Sequence, residues 1–224
     1  MAGEPPPGSA PRRGSAKPRS FGVEEEYLLL DEATGSPVDR AAELIRSFER
    51  SGEGAEHEFF SSQLETSTPV CRDAAEAEAA LTSFRSSMSR AASEHGVVLA
   101  GTGLPPIGGE TVGTVTPRPR YRAIEAEMRN VAAHQYSTGL HVHVEVPSRE
   151  AGVDALARLS RWAPALLALT ANSPLWSGAP TGFASWRHVM GLLWPVAGYP
   201  PPFQDAADYE RSVSRLIASG VLLD

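Results

Sequence analysis

Hydrophobic and polar positions along this chain repeat with two periods, and the segments they mark predict its elements. Phe21 to Leu30 (FGVEEEYLLL) reads as a strand that starts the fold. Strand side chains alternate, so Glu24 and Glu26 share one face and Glu25 points to the other. Ala41–Arg50 reads as a short helix with Leu44, Ile45 and Phe48 on one side. In EHEFFSSQLETSTP, the segments Glu56–Phe60 and Gln63–Thr68 read as short strands, the second with Gln63, Glu65 and Ser67 on one face. Asp73–His95 is a long helix with Leu81, Phe84 and Met88 at helical spacing, ended by Gly96. Val97–Gly101 is a strand that runs into the loop GTGLPPIGGETVGT.

Tyr121–His134 reads as a helix with a Tyr121, Ile124 and Met128 stripe. Ser137–Val146 has clear period-two alternation: His141, His143 and Glu145 fall on one face, and Val142, Val144 and Val146 on the other. Asp154–Thr170 is helical until Asn172-Ser173-Pro174 breaks it. Trp176–Pro202 is loop-rich, with a short helix around Arg187–Trp194, and Asp205–Ser219 is a final helix. Antiparallel-type strands mixed with long helices, without regular βαβ units, give an α+β class. Residues 1–20, rich in Pro, Gly, Ser and Ala, read as a disordered tail before one domain over 21–224.

Charge narrows the partners. The formal net charge is -7, and Arg12, Arg13, Lys17 and Arg19 sit in the tail, so the body is more acidic than the total. Such a surface does not attract nucleic acid by charge alone. It leaves room for a nucleotide held through metal ions. The single Cys71 excludes an intrachain disulfide and fits a reducing cytoplasm. No segment is apolar for long enough to span a bilayer, and no apolar stretch follows the N-terminal arginines as a secretory signal would require.

Three strands place polar groups on one face of otherwise apolar segments: Glu24 and Glu26, Gln63 and Glu65, His141 and His143. Clustered carboxylates repel one another and need protons, arginines or dications. Carboxylates favour hard ions such as Mg2+ or Mn2+, and an imidazole suits Mn2+. The His-x-His spacing also suits zinc, but no third His or Cys lies nearby in sequence. A solvated edge carrying surface acids is the competing reading of the same spacing. GTGLPPIGG lacks the closing Gly-Lys-Ser/Thr of a phosphate loop and reads as a rim. Cys71 has no catalytic partner, His134 and Arg129 have no role, and Trp162, Trp176 and Trp186 read as core or rim packing.

FGVEEEYLLLD, SSQLETSTPV, STGLHVHVEVP and ANSPLWSGAPTGFASWR, in that order, resemble the bacterial carboxylate–amine ligases known as glutamate–cysteine ligase type 2. That family in turn resembles glutamine synthetase, which implies a curved antiparallel sheet with packed helices around a funnel for ATP and dications. The resemblance implies that Glu24, Glu26, Glu65 and His141 are metal ligands. It sets Gly139, His143 and Arg187 on the nucleotide side, with Arg187 as the catalytic contact to phosphate or carboxylate. It implies ATP and Mg2+ (or Mn2+) as cofactors and small-molecule carboxylate and amine substrates, joined through an acyl phosphate.

Family members continue past the position of Asp224 with further strands carrying another acid and arginines. The chain is therefore expected to be C-terminally truncated, with an open sheet edge that would favour a homo-oligomer. Two other functions share the same residues: a metal-dependent amide hydrolase, and an inactive remnant with a binding role. Nucleotide-dependent phosphate release separates a ligase from a hydrolase.

Overall fold

The computed structural model describes residues 18–49 and 54–222. The tail expected over 1–20 therefore lies outside the described residues except for its last three. The elements in chain order are β1 (Phe21–Asp31), α1 (Ala41–Glu49), β2 (Glu56–His57), β3 (Gln63–Ser67), α2 (Ala74–Ser93), β4 (Val97–Ala100), α3 (Pro119–Met128), α4 (Asn130–Ala133), β5 (Leu140–Val144), α5 (Arg149–Leu159), α6 (Ala163–Thr170), β6 (Leu175–Trp176), β7 (Ala179–Pro180), α7 (Trp186–Gly191) and α8 (Ala206–Ala218). The class is α+β, as the patterning predicts. None of the helices among the described residues is long and apolar enough to cross a membrane.

β1 organises the main sheet, in which every pairing is antiparallel. β3 runs along one side of β1, from Glu24 opposite Ser67 to Leu28 opposite Gln63. Two strands share the other side: β5 pairs with Phe21–Glu25 and β4 with Leu28–Asp31. β2 extends the sheet beyond β3.

The two faces of β1 then differ. Tyr27 and Leu29 join Leu64 of β3, Leu44, Ile45 and Phe48 of α1, and Phe84 and Met88 of α2 in the main core. On the opposite face, Glu24 and Glu26 come first. Leu28 and Leu30 follow, packed with Phe60 and Tyr136 in a smaller apolar cluster. One face is thus a helix-covered core, and the other is acidic at one end and plugged at the other.

Glu25 points into the helix-covered face, where an isolated carboxylate would be costly. Arg85 of α2 meets it with a two-pronged contact, Nε to Oε2 at 2.9 Å and Nη2 to Oε1 at 2.7 Å. The Tyr27 hydroxyl donates a further hydrogen bond to Oε2. Burial and this acceptor push the Tyr27 phenol well above its ordinary pKa, so it stays a donor. α2 is set against the sheet by an Asp73 cap that accepts from the Glu76 N–H at 3.0 Å.

Two helical segments differ from the periodic expectation. The Tyr121–His134 helix starts at Pro119, whose fixed φ suits a first turn, and breaks at Arg129 (φ 45°) before α4. Its Tyr121, Ile124 and Met128 stripe is only half-buried. The Asp154–Thr170 helix instead begins at Arg149 behind a Ser148 cap. It is interrupted by a 3₁₀ turn at Ser160–Trp162 ahead of Pro164, which removes a backbone donor. Trp162 is 60% exposed there and packs in no core. The β6–β7 pair is an addition that the loop-rich pattern did not reveal.

Replacing Arg85 with Met leaves the Glu25 carboxylate held by Tyr27 alone. Urea unfolding should show a loss of about 1–3 kcal/mol, moderated by the partial exposure of Arg85. Arg40→Met, in an exposed pair with Glu43, should leave the midpoint nearly unchanged. Equal effects would mean that Glu25 is not held by Arg85.

Candidate functional site

Strand register builds the site. Glu24 lies opposite His141 of β5, and Glu26 lies opposite Glu65 of β3. Opposed residues of an antiparallel pair point to the same face, so residues from three strands converge. They form two groups, within each of which the ligand-type atoms lie no more than 4.8 Å apart: Glu24 with His141 and His143, and Glu26 with Glu58 and Glu65. His143 Nε2 is 2.9 Å and His141 Nδ1 3.4 Å from the same oxygen, Glu24 Oε2. His141 Nε2 is 3.8 Å from Glu26 Oε1, so one ring stands between the groups.

The two groups differ electrically. The hydrogen bond from His143 is the main cause holding Glu24 below the ordinary carboxyl range. Burial pushes Glu65 up to about 7, reinforced by Glu58, Glu26, Glu24 and Glu56. Burial also raises Glu58. Glu26 is raised by burial and then by Glu58, against lowering contributions from His141, Gly139 and Arg187. The inner group is therefore three half-buried carboxylates that resist being charged together. Dications satisfy such a group as protons do, through oxygen ligands.

Glu58 is the residue that sequence reasoning missed. Treating Glu56–Phe60 as one strand directs attention to the strand itself. In the structure β2 stops at His57. Glu58 then sits on a bend whose carbonyl accepts from Thr116 Oγ1 at 2.7 Å, while Phe59 O accepts from Thr116 N at 2.9 Å. Tyr121 Oη clamps His57 O at 3.0 Å. The available signal was an acid directly before Phe59 and Phe60, with Phe60 fully buried. Gln63, expected on the acidic face, is buried and structural: its Nε2 donates to Ser137 O at 3.0 Å and its Oε1 accepts from Phe60 N at 3.2 Å. It ties β3 to the segment leading into β5.

Arg187 and Gly139 lie at the edge of the inner group. A cavity of about 470 Å³ is lined by Glu26, Gly103, Gly139, His141, Ser173 and Arg187, among others. Arg187 Nε donates to Thr138 O at 2.6 Å, and its backbone N–H donates to Ser173 Oγ at 3.0 Å. Two glycines make room for it. A Cβ on Gly103 would come 3.2 Å from Arg187 Cδ, and one on Gly139 would come 3.2 Å from Nη2 and 3.3 Å from His141 Nε2. The Glu26 N–H donates to Gly139 O at 3.0 Å, which fixes that approach to β1. The cavity is thus lined by the Glu26 carboxylate, the His141 imidazole and the positioned Arg187 guanidinium, with Glu58 and Glu65 grouped with Glu26 but outside the lining. His143, expected on the nucleotide side, is placed with Glu24 and outside this lining.

Comparison with known proteins agrees with the resemblance. The family model described as glutamate-cysteine ligase family 2 matches residues 20–224. A protein of Mycobacterium sp. strain KMS, provisionally named glutamate–cysteine ligase 2-2, is 40% identical over 205 residues, covering 92% of this chain and 56% of its own length. A Rhodopirellula baltica protein, provisionally named glutamate–cysteine ligase 2, is 37% identical over 211 residues, covering 92% and 57%. The chain thus spans little more than half the length of these curated relatives. Among solved structures, a bifunctional glutathione synthetase from Pasteurella multocida superposes with a TM-score of 0.66 at 16% identity. The match covers 89% of this chain and 30% of that one, and it supports the fold.

The raised carboxyls give a pH dependence with a definite sign. A carboxyl whose folded pKa exceeds its unfolded value favours the fold when protonated, so its contribution is full below the ordinary 4.5 and lost as pH rises through about 7 for Glu65. In metal-free buffer the thermal midpoint should therefore fall between those pH values, and Glu65→Gln should flatten the fall. A midpoint that rises over that range, unchanged by Glu65→Gln, would count against a buried Glu65 carboxyl.

Proposed function

The chain belongs to glutamate-cysteine ligase family 2, and from that premise we propose that it carries the metal and nucleotide site of an ATP-dependent carboxylate–amine ligase. The observation that carries the reading is the Glu26 carboxylate, grouped with Glu58 and Glu65, lining one cavity together with the His141 imidazole and the Arg187 guanidinium. The carboxylates would attract dications, and the guanidinium an anion. A metal-bound phosphate with a substrate carboxylate satisfies both.

In the proposed reaction, the γ-phosphoryl group of ATP passes to the substrate carboxylate. An amine attacks the acyl phosphate so formed, and phosphate leaves as the amide bond forms. Glu26, Glu58 and Glu65 would hold one dication, and Glu24 with His141 a second. Bound there, such ions would draw charge off the transferring group.

The chain's own residues supply position. Arg187 is fixed by Thr138 and Ser173, which leaves its terminal nitrogens as a preset fork for carboxylate or phosphate. Gly139 brings backbone close to the ligand without a Cβ in the way. Glutamate as the carboxylate and cysteine as the amine are the substrates that the family name suggests.

Calorimetry with a non-hydrolysable ATP analogue tests the site. Binding should require Mg2+ or Mn2+ and should weaken by at least about tenfold in Glu26→Ala, the scale on which groups around a metal act. Phosphate release that needs both a carboxylate and an amine would support ligation. Metal-independent binding, or amide cleavage without nucleotide, would overturn it.

A further inference from the structure

We propose that Glu25 is a specificity-determining contact of the ligase site, holding the non-reacting ammonium group of the carboxylate substrate through a gap in the sheet. The inference deepens the ligase reading and rests on it for the carboxylate that is activated.

The gap follows from register. β5 pairs with β1 as far as Glu25, and β4 pairs with it from Leu28 onward on the same side. Glu26 and Tyr27 lie between these two partners. β4 ends at Ala100 and leads out through Gly101 and Gly103, while Gly139 leads into β5. Neighbouring strand residues point to opposite faces, yet Glu25 and Glu26 both line the cavity of about 470 Å³ that Arg187 also lines. The cavity therefore runs from the acidic face into the gap and reaches a carboxylate that belongs to the other face.

Glu25 has acceptor capacity to spare there. Oε2 accepts from Tyr27 Oη and Arg85 Nε, whereas among the described residues Oε1 accepts only from Arg85 Nη2. A carboxylate oxygen has room for two hydrogen bonds, so one position on Oε1 is open. That oxygen faces Gly101: a Cβ there would lie 3.9 Å from Oε1 and 3.8 Å from the Tyr27 ring. Both are ordinary contact distances, so the glycine leaves a methyl-sized space beside Oε1.

The donor that suits this space is an ammonium N–H. Arg85 and Tyr27 already hold the carboxylate in place, so a ligand cation meets a fixed acceptor in a charge-assisted bond. Arg187 lines the same cavity and offers its guanidinium to a carboxylate, so an amino acid finds a partner for each of its charges. An ammonium held against a carboxylate keeps its proton. It then has no lone pair with which to attack an acyl phosphate formed on the same molecule, and the attacking amine is that of the second substrate.

The test is a calorimetric titration of the full chain in Mg2+ buffer with L-glutamate and with glutarate, which has the same two carboxylates and no ammonium. Wild type should bind glutamate more tightly by about tenfold or more. Gly101→Ala fills the space beside Oε1 without touching the Arg85 fork, and it should abolish that preference while leaving glutarate binding unchanged. Glu25→Gln should abolish it too; thermal unfolding checks its fold, and Gly101→Ala decides alone if Glu25→Gln does not fold. Equal binding of the two ligands by wild type, binding of neither, or a preference that survives Gly101→Ala would overturn the Glu25 contact. ATP-analogue binding measured on the same samples separates the readings: its absence with the glutamate preference intact would count against the ligase proposal alone.

Discussion

The register of β1 against its two neighbours is the constraint on which the rest of the molecule depends. A slip of one residue would turn Glu24 and Glu26 into the helix-covered core and swing Glu25 out to the site. Every metal-type ligand outside the β2–β3 bend sits at a position defined by that register. What holds it is hydrophobic on one face, where Tyr27 and Leu29 are fully packed, and electrostatic at Glu25. The Arg85 fork accepts Glu25 in its native orientation and has nothing to offer Glu24 or Glu26, which point away. The middle acid of the Glu24–Glu26 run is thus a register lock, and its neighbours are the proposed ligands.

The lock lets the sheet tolerate an expensive surface beside it. Glu26, Glu58 and Glu65 are drawn together while half-buried, and burial alone disfavours their charged forms. A sheet stabilised only by its acidic face would open. Here the cost is offset by the main core beneath and by the Leu28, Leu30, Phe60 and Tyr136 plug at the far end of the same face. The acidic positions and the stabilising positions are thus different segments of one strand.

The legible part of this arrangement was the part with period two. Alternation places Glu24, Glu26, Glu65, His141 and His143 on common faces, and antiparallel pairing turns common faces into one surface. The illegible parts have physical reasons. Glu58 lies on a bend stabilised by Thr116 and Tyr121, contacts more than 50 residues distant that no local pattern announces. Gln63 follows the same alternation as Glu65, yet serves structure because Ser137 and Phe60 claim its amide. The breaks at Arg129 and at Ser160–Trp162 depend on backbone conformation, which helical periodicity does not report. Arg187 was visible as a cation in a Ser-Trp-Arg segment. The two glycines that seat it, Gly103 and Gly139, become partners only in space.

Charge counting then links the acidic composition to the chemistry. Glu24, Glu26, Glu58 and Glu65 present four carboxylates within one surface, against a single positioned guanidinium on the cavity wall. Two dications carry the charge that four carboxylates require, and the inner and outer groups offer two places for them. With those ions bound the face would no longer repel phosphate, and Arg187 would face an anion instead of compensating Glu26. In the proposed reading, metal loading precedes nucleotide binding for an electrostatic reason: without the ions, the face that must receive a polyphosphate is negative. The acidity that argues against nucleic acid as a partner is therefore compatible with ATP in that reading, because the ions, together with Arg187, would supply the positive charge that the phosphates meet.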